Sequence, residues 1–119
     1  MDINTIQEKL SKFASDRDWE QFHSPKNLAM ALSVEVSELV EIFQWLTPEQ
    51  SSNLSNKQML AAQEEVADIA IYLLTLCDVL GINLTNVVED KIKLNTKKYP
   101  VEVSKGNAKK GRIEPQRYP

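Results

Sequence analysis

Two short words in the chain place acids where acids are costly. Glu35-Val36-Ser37-Glu38-Leu39 and Glu65-Val66-Ala67-Asp68-Ile69 share one pattern of acid, apolar, small, acid, apolar. On a helix that turns by about 100° per residue, Leu28, Leu39, Ile42 and Leu46 fall within about 40° of Glu35. Leu76, Ile69 and Leu80 fall within about 60° of Glu65 by the same count. Glu35 and Glu65 are therefore embedded in core-facing stripes, while Glu38 and Asp68 lie about 60° round, on the stripe edge. A carboxylate in such a stripe must be paired, coordinated or protonated. Two helices joined by a short connection pack antiparallel, so the four acids are expected to converge. Oxygen-only donors suit Mg²⁺ or Mn²⁺, hard ions that keep waters and are shared with substrate phosphates. Neutralisation by a cation explains the acids poorly, because the two helices offer only Lys26 and Lys57, each a turn or more away. A di-iron carboxylate bundle needs two Glu-x-x-His pairs, and the chain's single His, His23, falls short of that count. Glu41, Glu49 and Glu64 project away from the stripes and read as solvated.

Four helices have to carry these words. Ile3, Ile6, Leu10 and Phe13 recur at three and four, which predicts a first helix running to about Phe22. Ser24-Pro25 supplies an N-cap and a pre-set first turn for a second helix over Pro25 to Leu46. Two capping-box patterns follow, Thr47-Pro48-Glu49-Gln50 and Ser55-Asn56-Lys57-Gln58, the first opening a short turn and the second a long third helix, Asn56 to Leu80. Gly81 suits the left-handed stop, with Ile82 packing back. Asn83 or Thr85 caps a fourth helix that ends at Tyr99-Pro100. The expected organisation is one helical catalytic domain, residues 1–100, and a mobile basic tail, residues 101–119.

Composition narrows the function. The 119 residues hold 14 Lys plus Arg against 17 Asp plus Glu, a formal charge of −3. Residues 1–100 carry 9 basic and 15 acidic side chains and the tail 5 and 2, so the balance runs from net −6 to net +3. An acidic domain is a poor partner for a nucleic-acid polymer, whose binding relies on clustered Lys and Arg. Three Gly, all at or after Gly81, leave no Gly-rich phosphate loop. A chain of this size buries roughly two thirds of its unfolded surface without staples. The single Cys, Cys77, reads as a small buried hydrophobe, and with no leader pattern it points to a cytoplasmic setting. No apolar run reaches membrane-span length. The third helix is apolar over more than one face, which points to subunit contacts.

The whole pattern resembles a known family. Glu35-x-x-Glu38, extended through Ile42-Phe43-Gln44-Trp45, with a gap of 26 residues (39 to 64) between Glu38 and the following Glu65-x-x-Asp68, is similar to the signature of MazG-like nucleoside triphosphate pyrophosphohydrolases. Arg17-Asp18-Trp19-Glu20-Gln21-Phe22-His23, Ile71-Tyr72-Leu73, and Lys91, Asn95 and Lys98-Tyr99-Pro100 bring it nearest to the dCTP pyrophosphatase branch. The resemblance spans about residues 5 to 100. It implies an all-α four-helix fold, assembled as a homodimer or homotetramer, that cleaves a nucleoside triphosphate between the α and β phosphates. It also implies Mg²⁺ held by Glu35, Glu38, Glu65 and Asp68.

Other roles follow with the resemblance in hand. Glu38, at the stripe edge, is the expected group for activating water. Lys91, Asn95 and Lys98, at i, i+4 and i+7 on one helical face, would hold phosphate and sugar oxygens. Trp19, His23, Trp45 and Tyr72 would read the base by stacking and a polar edge, with Phe22 and Phe43 left as packing. The expected activity is removal of dCTP or modified dCTP from the nucleotide pool. A dUTPase, a phosphoribosyl-ATP pyrophosphohydrolase or a non-catalytic helical regulator are the competing readings. Intact stripe-embedded acids favour an enzyme over the regulator.

Overall fold

A computed structural model describes residues 1–108; of the expected tail, residues 101–108 are described and residues 109–119 lie outside the described part. The described residues form helices and turns with no strand: α1 (Ile3–Asp16), a 3-10 turn (Glu20–Phe22), α2 (Pro25–Phe43), α3 (Pro48–Ser51), α4 (Asn56–Leu80), α5 (Leu84–Lys98) and α6 (Val101–Ser104). The expected all-α class with a short helical turn between the second and third long helices is what the chain adopts. It divides into two compact units, Met1–Ile82 and a second that begins at Asn83.

Local chemistry sets most boundaries. Ser24 Oγ accepts from the Asn27 amide, and Pro25 fills the first helical position of α2. Both capping boxes close reciprocally: Gln50 Oε1 accepts from the Thr47 amide at 2.9 Å, and Gln58 Oε1 accepts from the Ser55 amide at 2.9 Å. Gly81 at φ 70° ends α4, and the Ile82 amide donates back to the Cys77 carbonyl at 2.8 Å. Of the two candidates for capping α5, Asn83 serves, its Oδ1 accepting from the Asn86 amide.

The first helix is shorter than its apolar period predicts. It stops at Asp16 because Asp18 takes a left-handed conformation, φ 54°, and the chain then makes one 3-10 turn before α2. The second helix likewise ends at Phe43 rather than Leu46, the last three residues being used to turn toward the Thr47 cap.

Within the first unit α2 packs along α4, and α1 docks on α4, where the Gln7 amide donates to the Leu74 carbonyl at 3.0 Å. Leu28, Ala62, Leu74, Cys77 and Ala14 are buried. Leu32, Leu39, Ile42, Ile69, Leu73 and Leu76 are half-buried along the same seam. The seam therefore follows the stripes that hold Glu35 and Glu65.

Candidate metal centre and nucleotide cleft

Glu35 and Glu38 are presented by the middle of α2, and Glu65 by the middle of α4. One carboxylate oxygen of each lies within 4.8 Å of the others. Glu35 and Glu65 are half-buried and Glu38 is exposed. Glu35 Oε2 and Glu65 Oε2 are shielded from solvent and accept no hydrogen bond from the described residues. Nor does a cation from the described residues pair with them: the salt bridge among those residues joins Lys12 to Asp16. Two shielded oxygens without partners, beside a third acid open to solvent, are the donor set and geometry that a hard divalent ion fits.

The proton affinities of Glu35 and Glu65 are both raised. The Glu65 carboxyl is pushed up from its ordinary 4.5 to about 7, chiefly by the Glu35 carboxyl beside it, then by loss of solvent and by Glu38. Glu35 is also raised. Its contact with Glu65 acts to lower it, but loss of solvent and the neighbouring Glu38, with a smaller contribution from Asp68, outweigh that contact. Glu35 and Glu65 thus hold their protons to higher pH than isolated carboxylates do.

Asp68 stands outside this group of three. It is exposed, one helical turn along α4 from Glu65, and forms part of the wall of a hollow of about 150 Å³ with Trp19, His23, Leu28 and Tyr72. An adjoining hollow of about 280 Å³ shares Trp19, His23, Leu28 and Tyr72 and adds Phe22 and Asn27. Three of the four expected base-reading residues therefore meet in one place. Trp45, past the end of α2 and 87% exposed, lines neither hollow. Phe22, read above as packing, is more than half exposed and lines the second hollow. Its position one residue before His23 was the available signal.

Lys91, Asn95 and Lys98 belong to α5 in the second unit, with Lys91 exposed and the other two half-buried. The Lys98 ammonium lies 5.5 Å from the centre of the Tyr99 ring.

The chain belongs to the MazG-like family, whose model matches residues 30–112. It is 42% identical over 108 residues to dCTP pyrophosphatase 1 of Bos taurus and 37% identical over 110 residues to dCTP pyrophosphatase 1 of Homo sapiens. These alignments cover 89% and 91% of this chain but 64% and 65% of the relatives, so the chain spans just under two thirds of their length. A pyrophosphatase from Archaeoglobus fulgidus, known from its crystal structure, is 40% identical and superposes with a TM-score of 0.79, covering 84% of this chain and 94% of that one.

Proposed function

We propose that this chain is a Mg²⁺-dependent nucleoside triphosphate pyrophosphohydrolase that converts dCTP, or a modified dCTP, to the monophosphate and pyrophosphate. The observation that carries the reading is the pair of shielded, unpartnered oxygens of Glu35 and Glu65 beside Glu38, in a chain about 40% identical to dCTP pyrophosphatases.

Glu35, Glu38 and Glu65 would hold the ion, with Asp68 joining from the next turn of α4. When bound, a divalent ion neutralises triphosphate oxygens and stabilises charge at the attacked phosphorus. The chain supplies the rest. Glu38, open to solvent, orients water and takes its proton. Trp19 and Tyr72 offer faces for a flat base, and His23 offers a polar edge. Tyr72 follows Glu65 by seven residues, about 10 Å along the helix axis, which leaves room for a sugar between base and phosphates. From the resemblance, Lys91, Asn95 and Lys98 take phosphate and sugar oxygens, and Trp45 contributes to base reading.

Residues 1–100 are proposed as the catalytic part, with the basic segment from 101 onward as an appendage. The assembly is proposed to be a homodimer or homotetramer, because Met30, Val34, Val40, Leu60 and Val66 each remain more than half exposed on α2 and α4. No helix among the described residues is long and apolar enough to cross a membrane. A cytoplasmic setting is proposed from the free, buried thiol of Cys77.

The deciding experiment presents a panel of ribo- and deoxyribonucleoside triphosphates with and without Mg²⁺ and scores pyrophosphate against orthophosphate. The expected result is pyrophosphate with dCTP, dependent on the metal. Orthophosphate as the primary product, or turnover without metal, would overturn the mechanism. Inactivity on every nucleotide would transfer the case to a binding protein.

A further inference from the structure

The word Arg17-Asp18-Trp19-Glu20-Gln21-Phe22-His23 contributes Trp19, Phe22 and His23 to the proposed cleft and leaves Arg17, Asp18 and Gln21 without a task. The geometry gives them one. α1 ends in a Schellman turn: the Trp19 amide donates to the Ala14 carbonyl at 2.9 Å and the Asp18 amide to the Ser15 carbonyl at 3.1 Å, with Asp18 at φ 54°. α4 ends in the same turn, with the Ile82 amide bonded to Cys77 and Gly81 at φ 70°. Where the turn only stops a helix, glycine occupies the left-handed position. Where it delivers Trp19 to the cleft, that position carries a side chain that makes the conformation harder to adopt.

The Asp18 side chain is used. Gln21 Nε2 donates to the Asp18 carbonyl at 2.9 Å and to Asp18 Oδ2 at 3.2 Å, closing the loop across Trp19 and Glu20. On the other side Trp19 meets Phe13 edge to face, with ring centres 5.6 Å apart. The Arg17 guanidinium lies 3.6 Å from the centre of the Phe13 ring and donates to the Phe13 carbonyl. Trp19 is held from the backbone beneath, from Phe13 beside it and from the Asp18–Gln21 clasp behind. Asn27 Nδ2 donates to the Phe22 carbonyl and fixes the approach to His23.

We propose that Asp18 and Gln21 are positioning residues: their clasp fixes the Trp19 wall of the cleft and so sets affinity for a stacked nucleobase, without part in the bond-breaking step. The proposal rests on the reading that the Trp19–His23–Tyr72 hollow takes the base. Asp18→Gly is the informative variant, because glycine keeps the left-handed turn while deleting the clasp's carboxylate. Asp18→Asn keeps an acceptor and tolerates the same backbone, and is the rescue.

Steady-state kinetics with dCTP and Mg²⁺ are measured on the full chain and on Asp18→Gly, Asp18→Asn, Gln21→Ala and Trp19→Ala. In parallel, 5-fluorotryptophan labelling gives one ¹⁹F line each for Trp19 and Trp45. Asp18→Gly and Gln21→Ala should raise KM about fivefold, a partial loss of one base–aromatic stack, with kcat within about twofold. The Trp19 line should broaden or split in both while the Trp45 line stays put, and Asp18→Asn should restore KM and line shape. If Trp19→Ala raises KM but neither Asp18→Gly nor Gln21→Ala does, the clasp is overturned and the cleft reading stands. If Trp19→Ala leaves KM unchanged, the cleft reading falls and the clasp with it. Should Asp18→Gly fail to fold, Gln21→Ala decides alone.

Discussion

At the scale of single residues, the acids of the seam behave as a proton store that a cation can displace. Glu65 is raised from 4.5 to about 7 in the folded chain. The metal-free native state therefore binds more protons than the unfolded state between those values. This group's contribution to stability is fully present below pH 4.5 and is lost as pH rises toward 7. Thermal melts of the metal-free chain should show that decline, and Glu65→Gln should flatten it. Added Mg²⁺ should raise the melting temperature more at pH 8 than at pH 5, since protons and ion compete for the same oxygens. Glu38 tests the chemistry. Glu38→Gln keeps the shape of the side chain but cannot accept a proton, and kcat for pyrophosphate release should fall by roughly 10²–10⁴. Near-normal turnover in that variant would remove Glu38 from its role. The helical period was enough to mark Glu35 and Glu65 as seam acids, because angle about one axis is a property of one helix. It treated Glu38 and Asp68 as equivalent. The structure separates them, since distance across two helices depends on how the helices are set against each other, which no single-helix angle contains.

Elements are legible where a local interaction sets their ends and illegible where a tertiary contact does. Ser24, Thr47, Ser55 and Asn83 each cap a helix through a side-chain oxygen three residues from the amide it accepts, a relation written in the sequence itself. Asp18 carries no such sign. An aspartate at a helix end reads as one more polar residue, and only the return of Trp19 onto Phe13 shows why the chain leaves the helix there. The two stops also differ in what they tolerate. Nothing lies within 4 Å of a Cβ placed on Gly81, so Gly81→Ala meets no clash and its cost is the left-handed backbone alone. Urea unfolding should show a loss of about 1 kcal/mol. Leu28→Ala, at a side chain only 1% exposed where α2 meets its neighbours, should cost more, about 2–5 kcal/mol, through lost burial and the cavity left behind.

For the whole molecule, the surplus of apolar surface matters most. Among the described residues, five apolar side chains are buried, while valines and methionines on α2 and α4 remain open to solvent. That surplus was visible as an apolar circumference wider than one stripe, but its partner could not be, because the sequence of one copy does not say where the next one sits. Sedimentation velocity at micromolar concentration should report a species larger than one chain, and Val34→Lys with Val40→Lys should shift it toward the monomer with helicity retained. A wild-type chain that sediments as a monomer would count against the proposed assembly. The charge of −3 also takes on more meaning at this scale, because three of the acids behind it share one centre where a divalent ion would offset them.

Cys77 is 4% exposed, its thiol is pushed up by burial, and it sits in the last turn of α4 as the chain's single sulfhydryl. With no other thiol to compete, the rate at which a small alkylating reagent consumes it becomes a clock for the opening of this helix end. Because α1 docks on the same stretch of α4 through Gln7 and Leu74, that clock times the undocking of α1, and with it any loosening of the turn that carries Trp19. An ordinary mass measurement could follow that breathing in unlabelled protein.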